Sequence, residues 1–265
     1  MSAFICMTCG TQFAPTDEPP SACPICLDER QYIGPDGQQW TTLHALADEH
    51  RNRVEEQEPG LLGVGTEPSF AIAQRALCVD GLLWDCITLL DEDTSNALEE
   101  AGGIHTIAIS HPHYYSAMVA WAERFDAQVL LHEADRQWVM YPSERIEFWS
   151  GERHHISDQL ELVRLGGHFD GGTVCLWRAG AEGRGALLSG DIVTVVADRD
   201  WVSFMYSYPN MIPLSAGEIQ RIRDIVAALE FDRVYGAWWN TVVVDGAKAK
   251  VLRSADRYLK ALAGR

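Results

Sequence analysis

A chain of 265 residues, 47% hydrophobic and 22% charged, can bury a sizeable core, as one large domain with a small appendage or as two ordinary domains. Its net charge of −17 argues against unaided binding to nucleic acid or to an anionic membrane, both of which require a positive face. No apolar run approaches the roughly 18 residues of a spanning helix. The start, MSAFICMTCG, lacks the basic and long apolar stretches of a secretion signal, so the expected compartment is the cytoplasm, where seven cysteines stay reduced.

The first element in chain order is CMTCGTQFAPTDEPPSACPIC, which sets out Cys6, Cys9, Cys23 and Cys26 as two C-x-x-C pairs. Each pair can turn two thiolates to one side of a tight turn that Gly10 and Pro24 ease. Two such turns make a tetrahedral sulfur site suited to zinc or to a single iron. Residues 1–38 resemble a zinc ribbon, and the C-x-x-C-G … C-P-x-C form also looks like a rubredoxin-like knuckle, whose relatives hold iron and pass electrons. So short a segment does not fold on a core alone, so the ion supplies folding energy. A structural role is the first reading and electron transfer the second. Residues 1–60 carry ten acidic residues against three arginines, a net of −7, which suits a protein partner better than phosphate.

The stretch WTTLHALADEHRNRVEEQEPG, residues 40–60, has helical potential up to its Pro-Gly end and reads as a helical connector over 39–60. Two β-type runs follow, FAIAQRALCV and LLWDCITLL, joined by Asp80-Gly81, a strong hairpin signal. TSNALEEAGG reads as a helix that Thr94 or Ser95 caps and glycines close. IHTIAIS is an apolar strand, SAMVAWAERF an amphipathic helix and AQVLL the next strand. LELVRLGGHFDGGTVCLW and GALLSGDIVTVV have strand character, and SAGEIQRIRDIVAALE carries Ile219, Ile222, Ile225, Val226 and Leu229 on one helical stripe. DRVYGAWWNTVVV is a late strand and turn, and AKVLRSADRYLKALA a final helix. Strand clusters alternate with helices in both halves, which predicts two sheets back to back with helices outside.

Candidate metal ligands each follow a strand, where a scaffold holds them rigidly: His111 and His113 after TIAIS, His168 after LVRLGG, and Asp191 after ALLSG. The order SHPHYYSAMVAW, GGHFDGGTV, LLSGD, with AQVLLHEADRQWV and FDRVYGAWW, resembles the metallo-β-lactamase superfamily from about residue 60 to 265. The resemblance implies an αββα sandwich of two packed mixed sheets with outer helices over 39–265, behind the ribbon of 1–38. It also implies a first metal at His111, His113 and His168, with Asp191 touching or bridging metals. Two departures stand out. The family's H-x-H-x-D-H would put Asp and His where this chain has Tyr115 and Ser116, and its last histidine is replaced around Trp238.

A single metal is therefore expected. Three imidazoles around zinc leave a place for water, with iron or manganese as chemical alternatives. Asp191 either fills the fourth place or orients and deprotonates the water, and Tyr115 is the nearest replacement proton donor. The function expected is a hydrolase acting on a small molecule. The alternatives are a mononuclear iron oxidoreductase of the thiol or persulfide type with the cysteine site as relay, and a non-catalytic binding scaffold. Cys78, Cys86 and Cys175 read as core thiols, and His132, His154 and His155 as packing or solvated side chains. No G-x-S-x-G, Walker or G-x-G-x-x-G motif is present, so serine hydrolysis and nucleotide binding have no anchor.

Overall fold

The computed structural model describes residues 1–264. Contacts divide the chain into two compact units, residues 1–131 with 135–148, and residues 132–134 with 149 onward.

The first unit begins with the knuckle. Ile5–Cys6 pairs with Trp40–Thr41, and a short helix, Pro24–Leu27, follows Cys23. The seven-stranded sheet then runs in the order Arg51–Glu58, Leu61–Glu67, Arg75–Val79, Leu82–Trp84, Thr106–Ala108, Gln128–His132, Ile146–Trp149. Its first four strands are antiparallel neighbours, and Thr106–Ala108 is parallel to both Leu82–Trp84 and Gln128–His132. Central strands buried on both faces read as continuous apolar runs, as RALCV and LLW do.

The connector over 39–60 is helical only at Leu43–Glu49, and Arg51–Glu58 is an edge strand. Its residues are good helix formers, but pairing along Leu61–Glu67 overrides that weak local preference. The charged side chains leave a strand edge that discourages pairing with other chains. Asp80-Gly81 forms the expected hairpin turn, with φ of 49° and 76° and Val79 opposite Leu82. The helix Glu92–Glu100 is capped by Asp91, whose carboxylate accepts from Thr94 N at 2.8 Å, and not by Thr94 or Ser95.

In the second unit six strands run Arg153–His155, Leu160–Arg164, Thr173–Trp177, Ala186–Gly190, Arg233–Gly236, Val242–Val243, with only the Ala186–Gly190 and Arg233–Gly236 pair parallel. The helix Ala216–Ala227 starts at Ser215, whose hydroxyl accepts from Glu218 N, and buries Ile219, Ile222 and Val226. These join Val163, Leu165, Val174, Leu187, Val234 and Val251, the last from the helix Ala247–Leu262, in one core cluster. Each fully buried side chain of this size contributes roughly 1.5–3 kcal/mol. Cys78, Cys86 and Cys175 are buried thiols outside any disulfide, and burial pushes Cys78 up to about 11. Among the described residues no helix is long and apolar enough to cross a membrane.

Candidate metal centres

Cys6, Cys9, Cys23 and Cys26 are buried and offer four sulfurs that one ion can take. Cys6 and Cys26 lie 3.6 Å apart and Cys9 and Cys23 3.7 Å apart. A tetrahedron with metal–sulfur bonds of about 2.3 Å has edges of about 3.8 Å, so the cluster has the size a metal requires. Gln38 braces it, donating from Nε2 to Cys6 Sγ at 3.2 Å and accepting from Cys23 N at 3.1 Å. Hydrogen bonds from the neighbouring thiols, Cys23 first, hold Cys6 low, and contact with Cys23 first of all drives Cys9 and Cys26 up. Cysteine binds metal as the thiolate, so an ion entering this cluster displaces thiol protons.

The strand Thr106–Ala108 delivers the H-x-H loop. Asp85, itself pinned by its amide to Ala108 O, accepts from Ser110 N at 2.7 Å. Ser110 Oγ shares a 2.9 Å hydrogen bond with His111 Nδ1. His111 and His113 are both buried, their ring centroids 5.1 Å apart, and His113 sits in the single turn Pro112–Tyr114 that follows His111. Tyr115 is 2% exposed, and burial raises its phenol well above the ordinary range, so it stays protonated at neutral pH. Ser116 is tied up elsewhere. Its hydroxyl accepts from Gln74 Nε2 at 3.0 Å and donates to Cys86 O at 3.2 Å.

In the second unit His168 is 1% exposed and donates from Nδ1 to the Tyr206 carbonyl at 2.8 Å. A carbonyl only accepts, so the proton sits on Nδ1 and the lone pair on Nε2, the orientation a metal ligand needs. Asp191 follows Gly190, whose φ of 54° lets the strand end turn sharply. The Asp191 carbonyl accepts from Thr194 Oγ1 at 2.8 Å and from Tyr208 OH at 2.6 Å. Tyr208 also sets its ring 5.5 Å from that of His168, and burial, then the Asp191 charge, raises its phenol well above the usual range.

His111 and His113 in the first unit and His168 in the second each offer one buried ring nitrogen as a candidate metal ligand. The sequence pointed to these imidazoles but not to Ser110, Asp85, Tyr206 or Tyr208, which brace them. His132 carries no spare nitrogen: Nε2 meets Gly151 O at 3.1 Å and Nδ1 accepts from Ala134 N at 3.2 Å. Trp238 and Trp239 are half-buried in a tight turn that Thr241 closes by accepting from Trp238 N and donating to Trp238 O. A cleft of about 770 Å³ in the second unit includes Arg164 and Arg221, but both arginines are already paired, with Glu152 and Glu218.

Asp85 gives a pH test. It is 1% exposed, and burial lifts its carboxyl to about 7 against the partial opposition of the Ser110 hydrogen bonds. A carboxyl raised on folding stabilises fully below the unfolded value near 4 and loses that contribution as pH climbs through about 7. Asp85→Asn keeps an acceptor for Ser110 N and removes the charge. Denaturant unfolding of the metal-free variant should therefore flatten between pH 4 and 7. At pH 8 the variant should be more stable than the parent by on the order of 1 kcal/mol or more. A parallel slope in both proteins would assign the pH dependence to another group.

No family model matches the chain. Among solved structures it is similar to the metallo-β-lactamase DIM-1, with a TM-score of 0.57 at 14% identity over 78% of this chain and 98% of that one. It is also similar to the metallo-β-lactamase FIM-1 from Pseudomonas aeruginosa in its mono-zinc form, at 0.55 and 13% over 78% and 96%. These likenesses carry the fold, the αββα arrangement of mixed sheets and helices. In sequence the chain is 52% identical over 268 residues to the uncharacterized protein YmaE of Bacillus subtilis (strain 168), covering 99% of itself and 97% of that protein. It therefore belongs to the YmaE family, on a metallo-β-lactamase fold with a four-cysteine cluster in front.

Proposed function

We propose that the chain is a metal-dependent hydrolase with a single metal at His111, His113 and His168, which turns water on a small-molecule substrate. The observation that carries this reading is the set of three buried imidazoles, His111, His113 and His168, each offering one ring nitrogen as a candidate ligand. The Nδ1 hydrogen bonds of His111 and His168 support it by leaving Nε2 as the ligand atom. Zinc held by three imidazoles would supply a hydroxide near neutral pH, since water on such an ion has a pKa of about 7. Asp191, which is not one of the three grouped ligands, is assigned to stand beside that water, where its buried carboxylate would accept a hydrogen bond or a proton from it. Tyr115, held neutral, serves only as a donor.

One metal rather than two is favoured because Tyr115 and Ser116 supply neither an imidazole nor a carboxylate, and the Ser116 hydroxyl is already engaged. FIM-1 shows the same fold in a mono-zinc form. The half-buried Trp238 and Trp239 fit a substrate less polar than a nucleotide. Seven cysteines outside any disulfide fit the reducing cytoplasm, and the acidic first 60 residues fit a protein partner.

The test is a screen of zinc-loaded protein on esters, lactones, thioesters and phosphoesters, with His111→Ala as the control. Turnover that His111→Ala abolishes is the expected result. A flat screen, or turnover that survives the change, would remove hydrolysis at this site. The all-sulfur cluster also suits iron, and for that reason a second reading stands: an iron oxidoreductase with the cysteine site as relay. Red protein with iron by elemental analysis would favour it, whereas colourless protein with zinc at both sites would not.

A further inference from the structure

Cys9 is followed directly by Gly10, Thr11 and Gln12, and these three residues leave the knuckle to grip the histidine loop. Gln12 N donates to Ser116 O at 2.9 Å, and Thr88 Oγ1 donates to Gly10 O at 2.9 Å. Cys9 Sγ in turn donates to Thr11 Oγ1 at 3.3 Å. The fit has no slack. A Cβ on Gly10 would stand 2.4 Å from Thr88 Oγ1 and 3.3 Å from the Ala71 methyl, and Gly10 sits at a φ of 80°. Thr11, Gln12, Tyr115, Met118 and Met140 wall a gap with no room for a water.

Ser116 is the receiving end. It lies three residues beyond His113 and holds a φ of 43°, a left-handed conformation that a non-glycine residue keeps only where its surroundings hold it. Those surroundings are Gln74 and Cys86 O on its side chain and Gln12 N on its carbonyl. A short covalent path thus joins one cysteine ligand to the bond that fixes the turn after His113.

We infer that the four-cysteine knuckle is a clamp on the histidine loop, so that metal binding at the two sites is positively coupled, with Thr88, Gly10 and Gln12 as positioning residues. The inference rests on the reading of His111, His113 and His168 as a metal site. Loss of the cysteine-bound ion frees Gly10–Gln12, withdraws the donor from Ser116 O and lets the loop that sets His111 and His113 relax. Reciprocity requires that an ion on the imidazoles strengthen retention of the ion on the sulfurs by the same factor.

The test uses the full chain loaded with cobalt, whose thiolate charge-transfer bands report the cysteine site and whose ligand-field bands under imidazole ligation report the other. Competition with a chelator should show Thr88→Val weakening the histidine site about tenfold, within the usual range of coupling, while the cysteine bands keep full amplitude. Thr88→Ser, which keeps the hydroxyl, should restore parental affinity. In the unmodified chain, filling the histidine site should slow cobalt loss from the cysteines to an organomercurial. Two cobalts with unchanged affinity in Thr88→Val and no protection in the unmodified chain would overturn the coupling alone. Uptake of a single cobalt, at the cysteines only, would overturn the underlying reading of the histidines.

Discussion

Replacing His168 with alanine is expected to leave the chain with one metal instead of two. His168 is buried at 1% exposure, with its tautomer fixed by the 2.8 Å bond to Tyr206 O and its ring set 5.5 Å from Tyr208. Changes to groups that only orient a ligand lower metal affinity by roughly 10–100-fold. Removing the ligand itself should exceed that, a loss above about 2.7 kcal/mol. The two remaining imidazoles, His111 and His113, share one loop and offer an ion only one side of its coordination sphere. Elemental analysis after passage over a chelating column should give one metal per chain, held by Cys6, Cys9, Cys23 and Cys26. Turnover, where the parent has it, should fall to background. Two metals per chain in the variant would exclude His168 as a ligand.

The three candidate imidazoles were legible in the sequence because each follows an apolar strand, whereas Asp191, read from the same pattern, does not join their group. The departures at Tyr115 and Ser116 were equally legible as losses. What Ser116 gained in exchange was not: its carbonyl receives Gln12 N, from a residue 104 positions earlier, and no pattern in either segment announces a backbone bond. The same holds for His168, since the group that fixes its tautomer is the main-chain carbonyl of Tyr206, which any residue could provide. Asp85 was hidden for another reason. Its carboxylate acts from the end of a different strand, through the amide of Ser110. The stretch Arg51–Glu58 misled because its arginines, glutamates and glutamine favour helices locally, whereas the free edge of Leu61–Glu67 offered a full ladder of backbone partners. Helix 92–100 began one turn earlier than read, because Asp91 caps better than Thr94, which lies inside the helix.

The second large effect belongs to Cys9→Ser. A hydroxyl is a hard, weakly acidic ligand, and an alkoxide does not form near neutral pH as a thiolate does, so the cysteine site should lose its ion. Among the described residues Phe13 and Ile25 join the four cysteines in one buried cluster, with Ile33 and Trp40 packed at its edge and Ile5 also buried, too little to hold 38 residues without metal. Structural zinc in peptides of this kind supplies on the order of 10 kcal/mol of folding free energy. The damage spreads, because Ile72, Trp138 and Met140 of the first unit pack against the same core and would be exposed. A destabilisation of several kcal/mol is expected, lowering the melting temperature by roughly 10 °C at 2–4 °C per kcal/mol for a unit of this size. Protease cleavage should concentrate within residues 1–38, and one metal per chain should be missing. A variant that melts with the parent and resists cleavage there would show that packing, not the ion, holds the knuckle in place.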